Sequence, residues 1–100
     1  MIAEDFEIIK EVFEIVEAGI VQGYDAFHYH VEVGKSYMET ELCVEKNGLE
    51  SWSAEADFDD SKVYFLVERL RANAIKRGEL WKSFVLSYRE GEQVRTKFNY

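Results

Sequence analysis

One hundred residues with twenty acidic and twelve basic side chains carry a formal net charge of −8. That size suits one domain spanning residues 1–100, and that charge argues against direct contact with DNA or RNA. Apolar residues at 47% and aromatics at 15% are enough for a single two-layer core and too many for a disordered chain.

A single cysteine, Cys43, excludes an internal disulfide and suits a reducing compartment. The N-terminus lacks the cationic region and unbroken apolar run of a signal peptide, and no segment approaches a membrane span. The expected setting is therefore the cytoplasm. The charge is unevenly laid out. Residues 1–60 hold sixteen acidic and three basic side chains, a net of −13, whereas residues 61–100 hold four and nine, a net of +5. The first half reads as a surface built to meet a cationic partner or to repel nucleic acid.

Residues 2–18 have the period of an amphipathic helix, with Ile2, Phe6, Ile9, Phe13, Val16 and Ile20 on one face and Gly19 placed to end it in a left-handed conformation. Residues 26–33 alternate as a half-buried strand. Phe27, Tyr29, Val31 and Val33 point one way, and His28, His30 and Glu32 the other. A two-residue turn at Gly34-Lys35 would pair Val31 with Met38 and Tyr29 with Thr40 in the strand over 36–45. On the opposite face it would set Glu32 against Tyr37, His30 against Glu39 and His28 against Glu41. At Lys46-Asn47-Gly48 a three-residue loop is preferred, because it keeps Trp52, Ala54 and Ala56 on the apolar side. A two-residue Asn-Gly loop would pair Cys43 with Trp52 and expose the indole as a candidate anchor.

Asp57, Asp59, Asp60 and Ser61 crowd the start of a second helix, whose buried stripe is Val63, Leu66, Val67, Leu70 and Ala74 and whose end is Lys76-Arg77-Gly78. Residues 80–88 and 93–100 form a last hairpin. A loop with Gly91 left-handed sets Leu86 against Val94 and Phe84 against Thr96. The expected fold is α+β: an antiparallel sheet of about five strands, in the order α-β-β-β-α-β-β, with two helices on one face.

The uncovered sheet face then presents His28, His30, Glu32, Tyr37, Glu39, Glu41 and Glu45, with Cys43 among them. Trp81, Ser83, Val85, Arg95 and Lys97 mark its basic end. Fixed carboxylates lose little entropy on meeting lysine or arginine, although a row of exposed glutamates also serves simply to keep a sheet soluble. His28 and His30 share a face, and Glu39, Glu41 or Cys43 could complete a metal site. No dedicated spacing motif supports one, so cross-strand His–Glu pairing is preferred and no metal or cofactor is expected. Cys43 has no helix N-terminus or basic cluster to activate it, no serine sits in a glycine elbow, and no carboxylate pair is set apart for acid–base work. An enzyme is not expected.

The stretch from Glu79 through Trp81-Lys82-Ser83-Phe84-Val85-Leu86-Ser87-Tyr88, then Gly91, then Lys97-Phe98-Asn99-Tyr100, resembles the YezG-like immunity proteins. These are small bacterial cytoplasmic proteins that neutralise a cognate toxin. The order of elements over the rest of the chain is similar too. The resemblance implies an antitoxin that works by occlusion. Its partner would be a basic toxin domain such as a nuclease delivered by secretion or contact, with no nucleic acid or membrane bound directly. An adaptor with an open sheet face or edge, and a small metal- or ligand-binding domain around His28 and His30, are the alternatives.

Overall fold

The computed structural model describes residues 3–21, 23–52 and 56–100. Along them run α1 (Ala3–Gly19), β1 (Ala26–Val33), β2 (Met38–Lys46), β3 (Leu49–Ser51), α2 (Asp60–Lys76), β4 (Ser83–Arg89) and β5 (Arg95–Asn99). The five strands form one sheet in the order β3-β2-β1-β4-β5, with every neighbouring pair antiparallel. This is the α+β architecture expected. The helical connection through α2 lays β4 on the free side of β1, so the first strand of the chain becomes the centre of the sheet.

The two-residue period of β1 sets the core. Phe27, Tyr29 and Val31 are all buried and join Val44, Phe84 and Leu86 on one face of the sheet. Against them pack Ile8, Ile9, Val12 and Val16 of α1, and the expected stripe of α2, Val63, Leu66, Val67, Leu70 and Ala74, all buried. Each such side chain taken fully from water contributes about 1.5–3 kcal/mol before its entropic cost is counted. Asp59 caps α2, its carboxylate accepting from the backbone N–H groups of Ser61 (2.9 Å) and Lys62 (3.4 Å). Gly78, at φ +78°, follows its C-terminus.

The buried stripe of α1 is rotated from the one expected. Ile2 lies outside the described residues, Phe6 is 64% exposed, and the inward face runs through Asp5, Ile8, Ile9, Val12 and Val16. The reason is electrostatic. Asp5, only 2% exposed, accepts hydrogen bonds from the Arg77 guanidinium (2.5 Å) and the Asn73 amide (3.4 Å) at the end of α2. Arg77 also donates to Glu79 at 2.9 Å, and the nearby cation holds the Glu79 carboxyl below its ordinary range. Gly19 is not left-handed, contrary to the expectation from its place at the helix end. A Cβ there would lie 2.7 Å from the Phe58 side chain and 2.8 Å from the Asp57 carbonyl, so glycine serves close approach.

Both long hairpins are displaced by two residues from the expected register. Val33 pairs with Met38, Val31 with Thr40, Tyr29 with Leu42 and Phe27 with Val44. The connection is thus four residues, closed by the Gly34 N–H donating to the Tyr37 carbonyl at 2.9 Å. The Tyr37 ring lies across Gly34, where any Cβ would overlap it. In the last hairpin Phe84 pairs with Phe98 and Leu86 with Thr96, around a left-handed Gly91. A shift of two leaves every side chain on its expected face. The middle hairpin differs by one. Asn47 (φ 54°) and Gly48 (φ 78°) form a two-residue turn that pairs Val44 with Ser51 and Lys46 with Leu49, not the preferred three-residue loop. Trp52 is 62% exposed rather than buried, Ala56 is exposed, and Ala54 lies outside the described residues. Trp81 was expected on the open face but is buried. It precedes β4, escapes the strand's alternation, and sits under the Arg71 guanidinium, 5.1 Å from the ring centroid, against Phe84 and Phe98.

Replacing Asp5 by Ala leaves Arg77 without its most buried partner. Urea unfolding is expected to show a loss of about 2–4 kcal/mol. Glu4→Ala breaks only the half-exposed pair with Arg69 and should leave the midpoint unmoved.

Candidate partner-binding face

The face of the sheet turned away from α1 and α2 is built from the even-numbered residues of β1 and the residues paired to them. Four cross-strand rows follow from the pairing. From β3 to β4, the first is Glu50, Glu45, Ala26 and Arg89. The other three run from β2 to β5: Cys43, His28, Ser87 and Arg95; Glu41, His30, Val85 and Lys97; Glu39, Glu32, Ser83 and Asn99. Apart from Glu32 on β1 and Arg89 on β4, charge is graded across the sheet: carboxylates on β3 and β2, imidazoles on β1, small or apolar side chains on β4, cations on β5. With strands ~4.8 Å apart, β2 and β5 are roughly 14 Å apart. That exceeds the Debye length of about 10 Å at 0.1 M salt, so the basic edge does not neutralise the acidic one.

The seven residues singled out in the sequence fall into three groups. Glu39 and Glu41 are exposed, and among the described residues neither has a hydrogen-bond or ion-pair partner. His30 lies between them and β4, half-buried, opposite Glu41 rather than the expected Glu39. These three form the open centre of the acidic side. Glu45, Glu32 and His28 are engaged by the chain itself. Glu45 accepts from Arg89 at 2.5 Å, reaching over Ala26, whose methyl group is small enough to let the two side chains meet. Glu32 is opposite Glu39, not Tyr37, and lies 3.5 Å from the Tyr37 hydroxyl. His28 is opposite Cys43, not Glu41, with Nδ1 3.1 Å from the Ser87 hydroxyl. Tyr37 is in the turn rather than on the strand row, and half exposed.

Cys43 is buried on this face, 3.6 Å from a Glu50 carboxylate oxygen. Burial first, and then the neighbouring Glu50 charge, push its thiol pKa up, away from the thiolate a nucleophile needs. Among the described residues no three histidine, cysteine, aspartate or glutamate side chains converge to hold a metal ion. The face offers charge, two imidazoles and flat β-surface.

Trp52 is the functional candidate that the preferred register missed. The signal was present in Asn47-Gly48, the dipeptide best suited to a two-residue turn. The preference for burying an indole outweighed it. No helix of the described residues is long and apolar enough to cross a membrane. No protein-family model matches the chain, and no curated protein matches it in sequence.

Two phenols flank the sheet in environments that disfavour ionisation. Tyr24 donates to Glu17 at 2.7 Å, and its pKa is raised by burial and by that carboxylate. Tyr29 is pushed up to about 12 from 10.0, chiefly by burial. The unfolded chain therefore releases the Tyr29 proton first. The stability this phenol contributes is whole below pH 10 and drains away as pH rises towards 12. Urea midpoints followed over that window should fall in the native protein and fall less steeply in Tyr29→Phe.

Proposed function

We propose that the protein is an immunity protein. It neutralises a toxin domain by laying the acidic side of its open sheet face over the toxin's cationic active site. The observation that carries this reading is the pair Glu39 and Glu41, held on a hydrogen-bonded strand, exposed, and without a counter-ion of the chain's own among the described residues. A carboxylate on a strand is already ordered, so pairing it with a partner's lysine or arginine costs less entropy than pairing one on a loop. Half-exposed Tyr37 just precedes β2, exposed Trp52 lies beside the middle of that strand near Glu41 and Leu42, and both supply apolar area. A nuclease is the toxin class that fits best, because a site that holds phosphates is cationic. The resemblance of the C-terminal hairpin to the YezG-like immunity proteins supports the same reading and implies action in the cytoplasm.

A second reading has one specific observation behind it. β5 is an edge strand beside a groove lined by Phe6, Phe13, Val94 and Thr96, so an adaptor could bind a peptide by adding it to that edge. The two readings differ in their salt dependence. Main-chain pairing on β5 is weakly sensitive to ionic strength, whereas steering by the acidic face is strongly so.

The test is the affinity and association rate for the toxin domain, measured for the native protein and for Glu39→Lys/Glu41→Lys. The double reversal is expected to weaken binding on the order of 100-fold or more, mostly through desolvated pairs, and to abolish protection of toxin-expressing cells. Glu45→Gln, at a carboxylate already held by Arg89, should change affinity little. Unchanged affinity and protection in the double variant would remove this face from the function.

A further inference from the structure

On the helix side of β2 a cavity of about 480 Å³ opens beside the first turn of α2, and Glu41 of the open face is among its lining residues. Its size falls in the range of pockets that take a side chain or small molecule. The walls are aromatic. Tyr29 and Phe58 meet edge to face with ring centroids 6.0 Å apart, and Trp52 adds a third ring that is largely exposed. Among the described residues, the ionisable groups lining it are Asp60, Glu41 and the Tyr29 phenol, with no cation.

Tyr29 supplies the independent sign that something is missing. The residue is 1% exposed, and its hydroxyl has no hydrogen-bond partner among the described residues. Thr40 and Asp60 are close enough to influence it without reaching bonding geometry. A buried hydroxyl left unpaired is a cost that proteins rarely keep without a use. The positive end of α2 does not turn the cavity into an anion site, because the Ser61 and Lys62 N–H groups are already taken by Asp59.

We infer that this cavity seats a cationic side chain of the protein partner, an arginine guanidinium in preference to a lysine ammonium. The inference rests on the proposed function for the identity of the partner, though not for the chemistry of the site. A guanidinium would stack on the exposed indole, direct N–H groups to the Asp60 and Glu41 carboxylates, and donate to the lone pair of the Tyr29 hydroxyl. Its planar fork and weak hydration suit an aromatic-walled pocket better than the compact, strongly hydrated ammonium does.

The experiment uses the full chain and no toxin. Two-dimensional ¹H–¹⁵N spectra are recorded during titration with N-acetyl-arginine-methylamide and, separately, with its neutral isostere N-acetyl-citrulline-methylamide. The arginine probe is expected to shift the Trp52 indole N–H and the Thr40 and Phe58 amides saturably, with Kd on the order of 1–10 mM. The citrulline probe should leave them unmoved. Asp60→Asn should weaken the arginine probe about fivefold or more, as loss of a partly exposed ion pair in an aromatic site requires. Tyr29→Phe should also weaken it while leaving the urea midpoint at neutral pH unchanged or raised, since the hydroxyl it removes is unpaired. Glu39→Lys alone, at a carboxylate that does not line the cavity, tests the open face. Loss of toxin binding with Asp60→Asn neutral toward both toxin and probe would overturn the cavity alone. Probe binding that persists when toxin binding does not would uphold the cavity and overturn the toxin reading. Shifts that do not saturate, shifts equal for the two probes, or a lowered midpoint in Tyr29→Phe would each show that the cavity takes no cation.

Discussion

Burial of Phe27, Tyr29 and Val31 against two helices is the constraint from which the rest of the surface follows. β1 is the central strand, hydrogen-bonded to β2 on one side and β4 on the other, so its parity is imposed on the long strands of the sheet. Once the odd-numbered residues of β1 enter the core, His28, His30 and Glu32 must face outward, and with them every residue paired to them. A pairing slip of one residue would put His28 and His30 under the helices and Phe27 in water. Loss of several fully buried aromatic and aliphatic side chains would exceed the net stability of a domain this small. The open face is therefore specified by what the core excludes.

That parity also explains which features were legible in the sequence. The alternation of 26–33, the stripe of α2, the acidic start of α2 from which Asp59 supplies the cap, and the left-handed Gly91 depend on local periodicity or local hydrogen bonds, and the structure shows each of them. The two long hairpins were read two residues short, because Tyr37 folds its ring over Gly34 and lengthens the turn, which no local propensity reveals. The error left the faces intact for the reason just given. Trp52 and Phe6 went the other way. The fate of Phe6 hangs on Asp5 meeting Arg77, a contact seventy-two residues apart in the chain. The fate of Trp52 hangs on a choice between two-residue and three-residue turns that flips a face. Trp81 departs from expectation because the strand pattern over 80–88 starts three residues before β4 does, at Ser83. Long-range charge pairing and single-residue register are the levels at which periodicity ceases to inform.

The charge asymmetry of the chain becomes spatial in the fold. The acidic first half supplies β1, β2 and β3, and the basic second half supplies β4 and β5, so one continuous sheet face runs from carboxylate to guanidinium. The chain spends part of that charge on itself through Glu45 and Arg89, which clamp β2 to β4 across Ala26. What is left uncompensated is narrow, Glu39 and Glu41 with His30 beside them, and it sits next to the edge where Trp52 and the aromatic cavity lie. A partner that reads both surfaces would have to offer cations to the sheet face and a further one around the β2 edge. Such a geometry gives selectivity as well as attraction, because a flat basic surface could satisfy only the first.

Hydrogen–deuterium exchange of the free protein and of its complex with the toxin domain proposed as its partner tests the central claim most directly. Protection gained on binding should concentrate in peptides covering Ala26–Val33 and Met38–Lys46, with the outward surfaces of α1 and α2 unchanged. Protection confined to α1 and α2, or to β5 alone, would contradict it.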